Sequence, residues 1–94
     1  MLIATCVIKL QLYGVYSIKD KRQIVKSLLK RLPQQFNVAV AEIDHQNVWQ
    51  TTAIGLVTVG TNAAYLHSLL EKSVSWIQQQ RPDLYIEQYE IEFR

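Results

Sequence analysis

The residues best suited to chemistry lie close together in the middle of the chain. The segment AEIDHQNVWQ, residues 41–50, combines two carboxylates, an imidazole, several amides and an indole. Its candidate functional or structural hairpin residues are Glu42, Asp44, His45, Gln46, Trp49 and Gln50. Carboxylates and imidazoles bind metal ions and transfer protons. The segment is therefore an active site, a metal site or a turn between two strands.

The spacing of these residues argues against metal binding and catalysis. A catalytic zinc centre needs three convergent protein ligands, but the other histidine, His67, lies in a separate segment, and no His-x-x-x-His or Cys-x-x-Cys spacing exists. Asp44 and His45 are sequence neighbours, which seldom face each other in extended chain. We find no glycine-rich phosphate loop and no Gly-x-Ser-x-Gly elbow. We expect a non-enzymatic protein without a cofactor or metal, and keep a small-ligand or enzymatic site at residues 42–50 as an alternative.

Size and composition indicate one small domain, spanning residues 1–94. A single cysteine, Cys6, cannot form an internal disulfide and is typical of a reducing compartment, so we expect a cytoplasmic protein. No apolar run approaches the length of a membrane span, and the N-terminus does not resemble a signal peptide. The net charge of +2 is too small to indicate nucleic-acid binding by itself.

Hydrophobic periodicity predicts six elements. Residues 2–13 alternate with period two, as a strand does, and Ser17 and Asn62 stand where caps of two helices are expected. Pro33 should stop the first helix. The predicted elements are a strand at 2–13, a helix at 18–32, strands at 36–43 and 49–60, a helix at 63–80 and a strand at 84–93.

This β-α-β-β-α-β order predicts an α+β, ferredoxin-like fold. Its four-stranded antiparallel sheet has two helices on one face, and the crossover rule places the first and third strands in the centre. Residues 44–47 then fall at the turn between the second and third strands, where Asp and Asn are favoured. The structural interpretation of the segment is therefore preferred, with Trp49 covering the hairpin.

Two helices leave one face of the sheet uncovered. If Ala4, Cys6 and Ile8 face the helices, then Ile3, Thr5, Val7 and Tyr13 face away. Since monomers rarely expose large apolar patches, we expect a homodimer formed through the open face or an edge strand. The alternative is a half-polar face that is solvated. An open face used for protein interaction or assembly is a second functional hypothesis.

The first helix carries a basic stripe. Lys19, Arg22, Lys26 and Lys30 recur at intervals of three and four residues, and Lys21 and Arg31 add positive charge. These six are candidate RNA contacts, although an ordinary solvated helix face has the same pattern. RNA-recognition domains share the element order but stack bases on aromatic residues of the central strands. Here the third strand carries no aromatic residue over TTAIGLVTVG, residues 51–60, and the first carries none before Tyr13, so the helix is the better candidate surface.

Two segments resemble the YlxP-like family of small uncharacterised bacterial proteins. Ser17 to Arg22 is similar to the family's Ser-Leu-Lys-Glu-Lys-Arg segment, with Ile and Asp replacing Leu and Glu. The family's Ala-Glu-x-Asp-His-Gln-x-x-Trp-Gln segment is matched at Ala41, Glu42, Asp44, His45, Gln46, Trp49 and Gln50. The resemblance implies a ferredoxin-like fold of unknown function. It also implies genes placed beside those for translation initiation and ribosome maturation, hence a role near ribosomal RNA, and it supplies no catalytic residues.

Overall fold

The computed structural model describes residues 1–45 and 48–94, so the hypotheses on Gln46 and Asn47 lie outside the described residues. Six elements follow one another in the predicted order. Their bounds are β1 Leu2–Leu12, α1 Ile18–Gln35, β2 Ala39–Asp44, β3 Thr51–Gly60, α2 Ala63–Gln80 and β4 Leu84–Phe93.

The strands form one antiparallel sheet in the order β2-β3-β1-β4. As predicted, β1 and β3 are central, and the arrangement is ferredoxin-like. The even-numbered residues of β1 from Ala4 to Leu12 are at most 2% exposed and contribute to the core, whereas Ile3, Thr5 and Val7 are only partly covered or exposed. The period-two pattern of β1 therefore assigned its two faces correctly.

Both helices begin at the predicted caps. The Ser17 hydroxyl accepts the Asp20 N–H at 3.1 Å, and the Asn62 side-chain oxygen accepts the Tyr65 N–H at 3.0 Å. The prediction that Pro33 ends α1 is wrong, because the helix continues to Gln35. Pro33 lies in the last turn, where the missing N–H removes one helical hydrogen bond but no further turn has to follow.

The second strand begins three residues later than predicted. Val38 donates its N–H to the Phe36 carbonyl at 2.8 Å, and the Thr58 hydroxyl donates to the Asn37 carbonyl at 2.7 Å. These bonds hold the chain in a tight connection before Ala39. Within β3, Gly55 marks a close approach, since a Cβ there would lie 3.1 Å from Cγ2 of Ile43 on β2.

A bulge determines which residues of β4 face the helices. Leu10 pairs with Ile86 but Lys9 pairs with Gln88, so Glu87 is an extra residue. Before the bulge, Leu84 and Ile86 pair with inward-facing residues of β1. After it, the residues that pair with inward-facing residues of β1 are Tyr89, Ile91 and Phe93. Tyr85 pairs with Gln11 and faces the open side. The sequence alone could not show that apolar residues on both sides of the bulge share the helix side, because their spacing changes by one residue there.

The part of the chain outside residues 46 and 47 contains no helix long and apolar enough to cross a membrane.

Candidate functional site

The most unusual polar group in the structure is the side chain of Lys21. It is 1% exposed, and its Nζ lies 3.1 Å from Oε2 of Glu42. The same amino group donates to the backbone carbonyls of His45 and Val48, and the Thr52 hydroxyl donates to the Glu42 carboxylate. We call this cluster of Lys21, Glu42, Thr52 and the two carbonyls the hairpin junction.

Local structure explains why the hairpin junction forms. Lys21 stands one helical turn before Val25 and shares the buried stripe of α1 with Val25, Leu28 and Leu32. Glu42 pairs with Ile54, a fully buried residue of β3, so its side chain points toward α1. A buried charge is tolerated when an opposite charge and hydrogen bonds compensate its desolvation. The hairpin junction thereby ties α1 to the β2–β3 connection.

This geometry corrects the candidate role of Lys21 as an RNA contact. Its amino group is turned into the protein and is occupied by a carboxylate and two carbonyls. The sequence contained the signal, because Lys21 precedes Val25, Leu28 and Leu32 at helical intervals. Lys21 is therefore not one of the exposed cations of α1.

The described part of the hairpin uses its polar groups locally. Asp44 Oδ1 accepts the His45 N–H at 2.8 Å, and Val48 donates its N–H to the His45 carbonyl at 3.1 Å. His45 adopts φ 62, the left-handed conformation that turns use. Trp49 is half-buried against the core, and the Gln50 carbonyl accepts the Leu12 N–H at 2.8 Å. These contacts are local ones that hold the described ends of the β2–β3 connection.

The polar side chains of residues 42–50 do not converge on one ligand site. Glu42 points toward α1, whereas His45 lines a shallow groove of about 250 Å³ together with Lys9, Thr51 and Glu87. The Gln11 amide donates to Glu87 at 3.0 Å beside this groove. Glu42 is bonded to Lys21 and Thr52 and not to the His45 imidazole, so the two side chains do not form an acid–base pair. Sequence reasoning missed Lys9 and Glu87 as residues that line the same groove as His45.

The basic stripe of α1 is exposed at four of its predicted positions, Lys19, Arg22, Lys26 and Lys30. Arg31 differs, because its guanidinium lies 5.0 Å from the Trp76 ring centre and donates to Gln80 at 2.7 Å, both on α2. Asp20, in the first turn, is the only acid on the helix. We call Lys19, Arg22, Lys26 and Lys30 the basic face.

The open face of the sheet is mixed rather than uniformly apolar. On its β2 and β3 half, Ile43, Val57 and Val59 are 41–49% exposed. On its β4 half, Gln88, Glu90 and Glu92 pair with Lys9, Val7 and Thr5 of β1. The apolar part of this face thus adjoins the β2 edge, and the acidic part adjoins the β4 edge.

Cys6 lies in the core and has no accessible surface. Burial, with a smaller effect of the Glu71 charge, raises the pKa of the Cys6 thiol to about 11. A thiol with so high a pKa is largely protonated at neutral pH and is a poor nucleophile. Cys6 is therefore a packing residue.

Comparison with known proteins is consistent with this fold and identifies a family. Residues 3–91 match the family described as "Protein of unknown function (DUF503)". The chain belongs to this family. A relative from Bacillus subtilis (strain 168), named "Uncharacterized protein YlxP", is 32% identical over 66 residues, which cover 70% of this chain and 72% of that protein.

A solved structure shares the fold of this DUF503 chain. The crystal structure of a putative chlorite dismutase aligns with a TM-score of 0.57 at 16% identity, over 99% of this chain. The chain spans 44% of that protein's length. At this identity the similarity establishes the fold alone. Within the DUF503 chain, the two segments that resemble the family meet at the hairpin junction, since Lys21 belongs to the first and Glu42 to the second.

Proposed function

We propose that this protein is a non-enzymatic RNA-binding protein whose basic face contacts RNA phosphates, with ribosomal RNA as the target class that the family resemblance implies. The supporting observation is the exposure of Lys19, Arg22, Lys26 and Lys30 on a helix whose one acid lies in its first turn. Phosphate contacts by Lys and Arg dominate RNA affinity and make it dependent on salt.

The hairpin junction strengthens this assignment. Glu42 forms its ion pair with the buried Lys21. Its negative charge therefore does not offset the positive charge of the basic face. The acids Glu87, Glu90 and Glu92 lie on β4, at the edge of the sheet away from β2. A polyanion is thus attracted to α1 and repelled by the β4 edge.

The open sheet face is a poorer RNA surface. Single-stranded RNA binds to sheets by stacking bases on exposed aromatic rings. Three of the outward-facing pairs of β1 and β3 are Ile3 with Val59, Thr5 with Val57 and Val7 with Gly55, and these aliphatic and small side chains offer no stacking surface. The exposed rings of Tyr13 and Tyr85 lie beyond them, at the end of β1. The glutamates of β4 beside the central pairs repel phosphate.

The test compares two variants with the same loss of charge. K26Q/K30Q removes two cations of the basic face, and K72Q/R94Q removes two exposed cations elsewhere. Affinity for a labelled ribosomal RNA fragment is measured from low to moderate salt. We expect K26Q/K30Q to weaken binding and to reduce the slope of log K against log salt by about 1.5, at roughly 0.7–0.9 per lost phosphate contact. Equal slopes for the two variants would refute the proposal.

We also propose that the protein self-associates as a homodimer. The supporting observation is the apolar strip of Ile43, Val57 and Val59 beside an edge strand. Sedimentation equilibrium up to several hundred micromolar tests it. A monomer throughout that range would remove this part of the proposal without affecting RNA binding.

A further inference from the structure

Three of the five tyrosines lie at the end of the sheet where β1 leads into α1. Tyr13 directly follows β1, Tyr16 lies before the cap of α1, and Tyr85 pairs with Gln11 of β1. Their exposed fractions are 65%, 80% and 54%. The ring centres of Tyr13 and Tyr85 are 6.3 Å apart, a distance typical of interacting aromatic pairs. We call Tyr13, Tyr16 and Tyr85 the tyrosine end.

Internal contacts do not account for the exposure of these rings. The hydroxyl of Tyr89, also on β4, donates to Glu71 of α2 at 2.7 Å. Among residues 1–45 and 48–94, by contrast, the hydroxyls of the tyrosine end have no hydrogen-bond partner. A ring that is mostly in water adds little to the core, and tyrosines are enriched where proteins bind partners. The tyrosine end therefore has the character of a binding surface.

The tyrosine end leads into the basic face along the chain. Tyr16 directly precedes Ser17, the cap of α1, and Lys19 lies in the first turn of that helix. The three residues from Tyr16 to Lys19 span at most about 11 Å. An RNA strand whose phosphates are bound by Lys19 is therefore within reach of the Tyr16 ring.

The acids near Tyr85 determine the side from which a polyanion approaches. Asp83 forms an ion pair with Arg81 at 2.8 Å, which offsets its charge. Glu87 accepts a hydrogen bond from Gln11 and keeps its negative charge on the open side of the sheet. A strand is thus attracted from the α1 side and repelled from the β4 side.

From these placements we infer that the tyrosine end stacks the bases of unpaired RNA whose phosphates are bound by the basic face. This inference rests on the proposed function and names its substrate class as single-stranded RNA. The bases of a single strand are free to stack on aromatic side chains, whereas those of a duplex are stacked on one another. Because every base has a flat π-face, such stacking tolerates many sequences. The site therefore selects single strands and not a particular sequence.

Two single strands that differ only in their bases test the stacking site. One is a short oligouridylate, and the other has the same length and charge but riboses without bases. We expect the wild type to bind the oligouridylate about fivefold or more tightly, the lower end of the gain from stacking one base on an aromatic ring. Y13A/Y85A should lose most of this preference, because it removes the ring pair.

A matched tyrosine provides the control. Tyr65 has the same exposed fraction as Tyr13, 65%, but lies in the first turn of α2, at the opposite end of the sheet. We expect Y65A to keep the preference of the wild type. K26Q/K30Q should weaken the binding of both strands by the same factor, because their phosphates are identical. Circular dichroism and thermal unfolding check that each variant folds.

The outcomes separate the stacking site from the basic face. Equal affinity of the wild type for the two strands, a preference kept by Y13A/Y85A, or tighter binding of an RNA duplex would overturn the stacking site. The proposed function stands in these cases if K26Q/K30Q still weakens binding and lowers its dependence on salt. A preference lost in Y13A/Y85A without any effect of K26Q/K30Q would confirm the rings as an RNA site and refute the basic face.

Discussion

The amino group of Lys21 on α1 lies 3.1 Å from the Glu42 carboxylate on β2, and it also donates to the carbonyls of His45 and Val48. One buried cation thus joins the first helix to the central hairpin. Loss of the cation leaves a largely buried carboxylate and two carbonyls without this donor, whereas an exposed lysine of the same helix has no such partners.

The first prediction concerns this pair. We expect K21M to lower the free energy of unfolding by about 3 kcal/mol, because breaking a buried ion pair leaves the partner charge uncompensated. The control K19M, at an exposed position of the same helix, should change stability by less than about 0.5 kcal/mol. Urea unfolding measures both variants.

A double-mutant cycle separates the ion pair from the rest of the hairpin junction. K21M/E42Q should lose less stability than the sum of its single variants, with a coupling energy of about 1 kcal/mol or more. Additive losses would mean that Lys21 acts through the two carbonyls and not through Glu42.

The second prediction concerns the buried thiol. The folded protein raises the pKa of Cys6 to about 11 from the ordinary value of 9.0. Between these values the unfolded chain loses the thiol proton and the folded chain keeps it, so the unfolded state binds fewer protons and stability falls as pH rises. This contribution is complete below about pH 9 and is lost by about pH 11.

Comparison with C6A isolates the effect. The free energy of unfolding of the wild type should fall by on the order of 2 kcal/mol more than that of C6A between these pH values. Parallel pH profiles for the two proteins would contradict a raised thiol pKa in the folded state.

The third prediction concerns the β4 bulge. Deletion of Glu87 should convert the pairing of β4 with β1 into a regular ladder and keep Ile86 and Tyr89 on the helix side. Deletion of Glu90 would make Tyr89 and Ile91 direct neighbours in the chain. Since neighbouring residues of a strand face opposite sides, either Tyr89 or the residues after it would then turn to the open side of the sheet. We therefore expect thermal unfolding to show a smaller loss of stability for the Glu87 deletion. The reverse order would show that the extra residue is needed for the fold.

Much of the architecture follows from local patterns. Alternation in β1, the caps at Ser17 and Asn62 and the element order predicted the sheet, the starts of the helices and the central strands. The sequence did not predict that α1 continues beyond Pro33. A proline in the last turn of a helix removes only one hydrogen bond, so the helix does not have to end there. The sequence also did not predict which residues of β4 face the helices. A bulge is defined by the pairing with a neighbouring strand, and that pairing is known only from the structure.

The candidate site was less predictable than the fold. A lysine among other cations on a helix has the pattern of a solvated face, and its burial depends on a carboxylate that arrives from a strand 21 residues later. The helical spacing from Lys21 to Leu32 pointed to the buried stripe, but the partner Glu42 could be assigned only after the hairpin was placed over α1. The basic face followed directly from sequence because its residues lie on one element.

Mapping the RNA contact on the protein by NMR tests the central claim most directly. Backbone amide signals are followed while a ribosomal RNA fragment is added to the isotope-labelled protein at moderate salt. We predict that the largest shifts occur at Lys19, Arg22, Lys26 and Lys30, while Thr5, Val7 and Val57 on the open sheet face change little. Shifts concentrated on the open face, or no shifts at saturating RNA, would contradict the account.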